Sequence, residues 1–306
     1  MKILITGGAG YVGTKLVKQL TKLKKVKKVV VFDNLSRGNF NLFLGSPIVC
    51  GEKIEFVQGD ILDSRLLKKT LTDVDVVYHL AANVTTPFAN TDPHFYEQIN
   101  HWGTAELVYA IEESDVRNLI HLSSTSVYGT TDDIVDEDSR LNPDTFYGVS
   151  KMRAEKHVHR MIKQDRALIV RSGNVYGYSK SMRFDAVINK FAFETNFHKR
   201  ITIQGSGKQY RSFVHVNDLV KNLAALISNE VPTDIYNIVS KNISILELVD
   251  VFKELCPELE FLFIDQHLDL KNIRVNTDLK LGKYLALSKP LGLKEEIQTF
   301  LEKFSY

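Results

Sequence analysis

Residues 2–13 of the chain read Lys2-Ile3-Leu4-Ile5-Thr6-Gly7-Gly8-Ala9-Gly10-Tyr11-Val12-Gly13. The apolar residues near the start of this stretch predict a short buried strand, and a glycine-rich turn follows it at once. A helix then opens, because apolar residues recur with helical spacing at Val12, Leu16, Val17, Leu20 and Leu23. A strand, a glycine turn and a helix in this order favour a dinucleotide-binding site over a purely structural turn.

Three glycines of this turn have distinct expected structural roles. Gly7 permits the tight turn, Gly10 lets the backbone approach a pyrophosphate, and Gly13 lets the helix pack closely on the strand. The first turn of the helix then offers free N–H groups and a positive dipole end to the phosphates.

A second predicted strand, residues 29–32, ends at Asp33, twenty residues after Gly13. A carboxylate at that place accepts hydrogen bonds from an adenosine ribose and favours NAD. Arg37 lies close by in the sequence and suits a 2′-phosphate instead, so the sequence does not exclude NADP.

The composition is that of an ordinary globular protein. Of 306 residues, 44% are hydrophobic and 25% charged, and the formal net charge of +2 gives no reason to expect nucleic acid as a partner. The two cysteines are far apart and lack metal-like spacing, which fits a reducing compartment. The N-terminus does not resemble a signal peptide, and no apolar run reaches the roughly 20 residues that span a bilayer. We therefore expect a cytoplasmic protein without a membrane partner.

Apolar strand-like runs alternate with helical segments through the first 170 residues, which predicts a Rossmann-type, doubly wound parallel α/β sheet. The pattern then loosens, and the C-terminal part is expected to form a smaller α+β lobe over the carboxyl edge of the strands. We predict a dinucleotide-binding domain from residues 1–172 with 212–240, and a substrate lobe from residues 173–211 with 241–306. Predicted strands are residues 54–57, 74–80, 119–122, 167–170, 201–204, 235–239 and 259–264. Predicted helices are residues 62–71, 96–113, 147–163, 184–197, 216–227, 245–255 and 294–304.

Tyr147 and Lys151 lie four residues apart at the start of a predicted helix, so both side chains face one side. A lysine ammonium beside a phenol favours the phenolate. Because an unperturbed tyrosine has a pKa near 10, work near neutral pH needs about 3 units, or about 4 kcal/mol, of stabilisation. One lysine is not expected to supply all of it, and a bound nicotinamide cation would add to it. Just upstream, the hydroxyl-rich stretch 123–129 follows a strand, so one of its hydroxyls is a candidate donor to a substrate oxygen.

Together these motifs resemble the extended short-chain dehydrogenases/reductases, in the nucleotide-sugar epimerase and dehydratase group and nearest to its UDP-glucose/galactose 4-epimerase-like members. The resemblance runs through residues 6–13, 33–36, 59–61, 79–82, Asn100 with Gly103-Thr104, 123–129, 147–151, 171–177 and 209–218. It implies that Tyr147 is the base, Ser124 the hydrogen-bond donor to the sugar oxygen, and Lys151 the residue that grips the nicotinamide ribose.

The resemblance also implies two sets of binding residues. The implied cofactor contacts are Gly7, Gly10, Tyr11, Val12, Gly13, Asp33, Asn34, Ser36, Asp60, Ile61, Leu80, Ala81, Ala82, Asn100, Ser123, Tyr147 and Lys151. The implied contacts to a nucleoside-diphosphate sugar are Thr85, Ser124, Asn174, Gln204 and Arg211. No metal is implied, and no cluster of Cys, His and carboxylate residues has zinc spacing.

Three functions fit these residues. The first is an NAD-dependent epimerase, acting at C4 of the sugar through a transient keto intermediate. The second is an NAD(P)H-dependent reductase of a nucleotide 4-keto-sugar, and the third is a non-catalytic NAD-binding sensor. A 4,6-dehydratase is less favoured, because such enzymes usually carry an acid where this chain has Thr125 and Ser126. The family commonly dimerises through helices, so a homodimer is also implied.

Overall fold

A computed structural model describes residues 1–45, 47–84, 92–265, 272–287 and 289–304. Its strands are β1 (Lys2–Thr6), β2 (Lys28–Asp33), β3 (Ile54–Gln58), β4 (Val76–His79), β5 (Asn118–Ser124), β6 (Ile134–Val135), β7 (Ala167–Ser172), β8 (Asn174–Tyr176), β9 (Arg200–Gln204), β10 (Tyr210–His215), β11 (Ile235–Ile238), β12 (Lys241–Ser244), β13 (Glu260–Ile264) and β14 (Arg274–Val275). Its α-helices are α1 (Tyr11–Thr21), α2 (Ser64–Thr70), α3 (Pro93–Tyr96), α4 (Gly103–Glu112), α5 (Phe146–Ile162), α6 (Val187–His198), α7 (Val216–Leu226), α8 (Ile245–Leu255) and α9 (Leu293–Leu301).

Seven strands form one sheet in the order β11-β7-β5-β4-β1-β2-β3, and every neighbouring pair is parallel. The predicted doubly wound parallel sheet is therefore confirmed. From β1 the chain builds outward first on one side, through β2 and β3, and then on the other, through β4, β5, β7 and β11. Ligands of such sheets bind at the carboxyl edge beside this reversal, which lies between β1 and β4.

Both faces of the sheet are covered, which explains the nearly continuous apolar strands. Ile3, Leu4 and Ile5 of β1 are all fully buried. Ile3 and Ile5 join a core with α1 and α7, whereas Leu4 joins a second core with α2, α4 and α5.

A smaller lobe has a core of its own. It contains the three-stranded sheet β12-β10-β8 and the parallel pair β13-β9, packed with α6, α8 and α9. The start of α8 is fixed by a capping box, in which the Ser244 hydroxyl accepts from the Glu247 amide and the Glu247 carboxylate accepts from the Ser244 amide. The division into two domains stays a proposal. Of the elements in residues 212–240, α7 packs on α1 and β11 adds an edge strand to the large sheet, whereas β10 pairs within the small sheet.

Several predicted boundaries differ from the structure. The single helix predicted over residues 96–113 is instead α3, a π-helical segment (Glu97–Trp102) and α4. The helix predicted from residue 184 begins at Val187, and the one predicted from residue 62 begins at Ser64, where the Asp63 side chain caps it. The sequence analysis does not predict β6, β8, β10, β12 and β14, because none of them has an apolar run longer than two residues or a regular alternation.

Among the described residues, no helix has both the length and the apolar character that crossing a bilayer requires.

Candidate active site

The glycine turn between β1 and α1 is packed so tightly that at two positions, Gly7 and Gly13, a Cβ would overlap backbone atoms. Gly7 has a φ of +72°, and a Cβ there would lie 2.6 Å from the Ala81 amide nitrogen. A Cβ on Gly13 would lie 2.5 Å from the Gly7 carbonyl oxygen. At Gly10, by contrast, a Cβ would meet only the Gly7 carbonyl oxygen, at 3.2 Å. Gly7 and Gly13 are therefore needed by the fold, while Gly10 leaves an open face for a ligand.

The first turn of α1 is free to bind an anion. Gly10 is its N-cap and provides no side-chain cap, and no acidic residue lies in the first turn. The Tyr11 side chain points away from this end, since its hydroxyl donates to the Gly177 carbonyl oxygen. Val12 packs partly against the core. The turn and the amides of this helix thus fit a dinucleotide pyrophosphate.

Asp33 lies at the end of β2, where its carboxylate accepts from the Ala9 amide at 3.0 Å and from the Leu35 amide at 2.8 Å. The next residue, Asn34, is exposed and donates to the Asp60 carboxylate at 2.9 Å. The exposed Ser36 is held through its amide by the Asn34 side chain. These contacts fix the ends of β2 and β3 beside the glycine turn, as a ribose-binding carboxylate requires.

Arg37 is the residue that could pair with the 2′-phosphate of NADP. In the structure its guanidinium donates to the Val84 carbonyl oxygen. Its partner lies in the segment that follows β4, so the guanidinium is turned toward that segment.

The segment after β4 runs over the glycine turn. The Leu80 amide donates to the Thr6 carbonyl oxygen at 3.0 Å, and Ala81 and Ala82 follow it, each half-buried. Ile61, 4% exposed, lies against Gly103, where a Cβ would come within 2.6 Å of it. These apolar residues form a wall at the edge of the sheet.

Asn100, in the π-helical segment, is fully buried and already has protein partners. Its amide oxygen accepts from the Asn83 amide at 2.7 Å, and its amide nitrogen donates to the Asn83 carbonyl and the Ser150 hydroxyl, both at 3.0 Å. Asn100 therefore joins the segment after β4 to α5, and its contact with a cofactor stays a prediction.

Tyr147, in the first turn of α5, meets residues from three other parts of the chain. The Ser124 hydroxyl, at the end of β5, acts on its phenol and favours the ionised form. Its ring lies edge-to-face on Tyr96, with 6.2 Å between the centroids. Burial is the main influence and raises the pKa of the Tyr147 phenol above its usual 10, while Ser124 and the positive charge of Arg183 lower it.

Lys151 is only 3% exposed, and its ammonium donates to the Leu122 carbonyl oxygen at 2.7 Å. Burial lowers the pKa of Lys151 to about 8. Because this pKa lies below that of the buried phenol, Lys151 loses its charge before Tyr147 ionises. That Lys151 stabilises the phenolate stays a prediction, because its ammonium form predominates at neutral pH; Arg183 is a further cation that lowers the pKa of the phenol.

Ser123 does not point with Ser124 toward Tyr147. Its hydroxyl donates to the Glu155 carboxylate at 2.5 Å, in the buried layer between β5 and α5. Only the Ser123 backbone remains for a contact with a cofactor.

Among the residues expected to bind substrate, Arg211 has the environment that best suits a diphosphate. Burial lowers the pKa of its guanidinium to about 10, so it stays charged at neutral pH, and the nearest acidic influence is Asp144. Among the described residues, the carboxylate that acts on it, Asp144, does so through its charge and not through a hydrogen bond. A desolvated guanidinium suits a diphosphate.

The other expected substrate residues lie around the small lobe. The exposed Asn174 opens β8 and donates to the Ser212 carbonyl oxygen at 3.0 Å. Gln204 ends β9 and is half-buried. Thr85 lies outside the described residues.

A separate group, formed by His215, Asp218 and Glu296, has side-chain ligand atoms within 4.8 Å of one another. The Lys241 ammonium already pairs with Glu296 at 2.5 Å, and the His215 Nδ1 accepts from the Asn217 amide at 3.3 Å. Since a cation already occupies the carboxylate, we do not assign a metal to this group.

Three residues near Tyr147 and Lys151 were missed from the sequence. Arg183 lies in the weakly patterned stretch after β8, and Tyr96 begins the single helix predicted over residues 96–113. Neither position therefore indicates a residue of the active site. Glu155 did carry a signal, because it follows Lys151 by four residues just as Lys151 follows Tyr147.

Known proteins are similar to this chain over almost its whole length. A putative UDP-glucose 4-epimerase of Methanocaldococcus jannaschii is 32% identical over 304 residues, covering 97% of this chain and 96% of that protein. Human dTDP-D-glucose 4,6-dehydratase is 29% identical, covering 99% and 91%. The crystal structure of UDP-glucuronic acid 4-epimerase from Bacillus cereus, in complex with UDP-glucuronic acid and NAD, superposes with a TM-score of 0.87 at 28% identity, covering 99% and 98%.

The sequence model of the NAD dependent epimerase/dehydratase family matches residues 3–239, which is most of the chain. This match and the solved relative agree with the parallel sheet. The chain therefore belongs to the NAD-dependent epimerase/dehydratase family, as an enzyme of the extended short-chain dehydrogenase/reductase type.

Proposed function

We propose that the protein binds NAD and epimerises a nucleoside-diphosphate sugar at C4 through a transient keto sugar. The observation that carries this proposal is the arrangement of Ser124, Tyr147 and Lys151 at the carboxyl edge of the sheet, the edge at which the glycine turn also lies. The known 4-epimerases among its relatives support the choice of reaction.

The residues around the glycine turn fit the cofactor. The amides of α1, the open face at Gly10 and the carboxylate of Asp33 would hold its phosphates and adenosine ribose, and Lys151 would hold its nicotinamide ribose. NAD, when bound, supplies the hydride acceptor and donor for the sugar carbon.

Proton handling falls to the chain. Tyr147 would take the proton of the C4 hydroxyl and later return it, while the Ser124 hydroxyl donates a hydrogen bond to the same sugar oxygen. Arg183 lowers the pKa of the phenol and so assists its ionisation. Lys151 adds positive charge as long as it remains an ammonium.

The segment after Ser124 favours epimerisation over dehydration. Elimination of water from a sugar needs a group that protonates the departing hydroxyl. Thr125 and Ser126 carry no carboxyl group, and Thr125 is buried with its hydroxyl 3.3 Å from that of Ser212. An epimerase, by contrast, needs only one proton-transfer group, which Tyr147 provides.

The test is to assay the purified protein with a panel of UDP- and dTDP-sugars, without added NADH, and to identify products by NMR. We expect one donor to interconvert with its C4 epimer, with no net change in nicotinamide absorbance. Tyr147→Phe is the matched control and should bind NAD yet convert the sugar at least about 100-fold more slowly. Stoichiometric consumption of NAD(P)H with a 4-keto-sugar would replace the proposal with a reductase, and absence of conversion across the panel would refute it.

The homodimer is likewise a proposal. Trp102 and Tyr109, on the π-helical segment and α4, are 53% and 40% exposed, which suits helices that pair with a second copy. Light scattering of the protein and of Trp102→Glu tests it, because a charge in that contact should yield monomers.

A further inference from the structure

A row of polar side chains crosses the large sheet beneath the candidate site. Ser123 on β5 pairs in register with Arg171 on β7, and Arg171 pairs with Asn237 on β11. Residues at one level of a parallel sheet point to the same face. These three side chains are each at most 2% exposed and lie on the face covered by α5.

Glu155 of α5 completes this row. Its carboxylate accepts from Arg171 Nε at 3.1 Å and from Arg171 Nη2 at 2.8 Å, and it also accepts from the Ser123 hydroxyl. Arg171 Nη1 donates to the Tyr128 hydroxyl at 3.0 Å, which in turn donates to the Asn237 amide oxygen at 2.8 Å. The carboxyl ends of three strands are thus bound to one point on α5.

Stability alone gives a poor account of this ion pair. Glu155 is 1% exposed and Arg171 2%, so both charges are removed from water. Well-packed apolar residues of similar volume usually stabilise a core as well as such a pair does. We therefore ask how the ion pair affects neighbouring side chains. Lys151 is the residue one helical turn before Glu155 on the same face of α5.

The charged and titratable groups that face Lys151 come from three elements. Burial lowers the pKa of Lys151 to about 8, and the negative charge of Glu155 acts in the opposite direction. His79 on β4 and His121 on β5 also lie close, but burial lowers the pKa of both, that of His79 to about 3, so both are neutral. Glu155 is therefore the group in this set that favours the ammonium form of Lys151.

We propose that Glu155, held by Arg171 and Ser123, is a positioning residue that keeps Lys151 charged and in place for the nicotinamide ribose. It touches neither cofactor nor substrate and acts through Lys151. This inference rests on the proposed function only in giving Lys151 a contact to NAD.

The test replaces the ion pair without leaving a single buried charge. The variant Glu155→Met/Arg171→Met removes both charges at similar volume. The control Lys241→Met/Glu296→Met removes an ion pair of the small lobe in which Glu296 is buried and Lys241 is partly buried. The affinity for NAD is measured by calorimetry from about pH 6 to 9.5, beside the thermal unfolding of each protein, so no turnover is needed.

For the wild type, NAD affinity should fall as pH rises through about 8, where Lys151 loses its proton. In Glu155→Met/Arg171→Met the midpoint of this fall should move down by about one pH unit, because Glu155 is the charge of the pair that acts on Lys151; NAD binding at pH 8 should then be about fivefold weaker. The control should keep the wild-type midpoint, and Glu155→Asp, which retains the charge, should restore most of it.

An unchanged midpoint in a folded Glu155→Met/Arg171→Met variant would overturn the proposal and leave the epimerase function standing. A wild type without any alkaline fall in NAD affinity would overturn it as well, because Lys151 would then not act as an ammonium. If the methionine pair does not fold, Glu155→Gln/Arg171→Gln serves the same purpose. A failure of the epimerase assay is distinguishable from all of these, since NAD binding is measured directly.

Discussion

Replacing Gly10 by alanine should separate cofactor binding from folding. The backbone at Gly10 has φ −74° and ψ −174°, which alanine adopts without strain, and the added Cβ meets only one atom within 4 Å, the Gly7 carbonyl oxygen at 3.2 Å. Alanine is a poorer N-cap than glycine but reduces the freedom of the unfolded chain, and each effect is below about 1 kcal/mol. The free energy of unfolding should therefore change by less than about 1 kcal/mol.

NAD binding should suffer far more. The methyl group would occupy the open face at which the pyrophosphate is expected to approach the turn, and one charge-assisted hydrogen bond would be lost. Such a bond contributes about 1.5–3 kcal/mol, so the Kd for NAD should rise about 10- to 100-fold. Isothermal titration with NAD and thermal unfolding of the ligand-free protein measure the two effects.

Two further glycines make this experiment decisive. Gly292 is the N-cap of α9, and a Cβ there meets nothing within 4 Å, so Gly292→Ala reports the cost of losing a glycine N-cap without affecting NAD. Gly13→Ala should instead destabilise the fold by about 1–3 kcal/mol, because its Cβ would lie within 2.7 Å of three backbone atoms. A Kd for Gly10→Ala within about threefold of the wild type would refute the placement of the pyrophosphate.

Three other substitutions test the roles of single side chains. Tyr147→Phe should lower kcat about 10²- to 10⁴-fold, the usual contribution of a general base, while calorimetry shows an unchanged Kd for NAD. Arg183→Gln should move the rise of kcat/KM with pH to higher pH, because Arg183 lowers the pKa of the phenol that must ionise; a pH–rate profile that does not move would show that Arg183 has no such effect during turnover. Arg211→Gln should raise KM for the nucleotide sugar about 10- to 100-fold with NAD affinity retained, and an unchanged KM would place the diphosphate elsewhere.

The sequence was sufficient for the parts of the molecule that depend on local periodicity. The apolar runs at β1, β2 and β5 are buried on both faces, and the glycine spacing follows from contacts within a single turn. Tyr147 and Lys151 could be paired because helical spacing alone places them on one side.

The electrostatics of the site could not be read from the sequence in the same way. Arg183 lowers the pKa of Tyr147 although the two residues are 36 positions apart in the chain. The sequence around Arg183 has no pattern that predicts this proximity. The depressed pKa of Lys151 follows from the burial of its side chain between α5 and the sheet, which depends on how α5 packs on β5. Ser123 and Ser124, the last two residues of β5, also differ in role. Consecutive strand residues point to opposite faces of the sheet, and only the strand register shows which of these faces α5 covers.

The placement of Arg183 has a physical explanation in the contacts of α1. The loop that precedes Arg183 is tied to the first turn of that helix: the Tyr11 hydroxyl donates to the Gly177 carbonyl, the Ser179 hydroxyl donates to the Tyr11 carbonyl at 3.1 Å, and the Thr14 hydroxyl lies 2.9 Å from that of Ser181. The helix whose N-terminus would bind the pyrophosphate therefore also carries the loop that leads to Arg183, whose guanidinium pairs with the Asp185 carboxylate and lowers the pKa of the Tyr147 phenol through its charge. Because one rigid element holds both, the phosphate site and the electrostatic environment of the base keep a fixed relation, although one lies in the large sheet and the other at the edge of the small lobe.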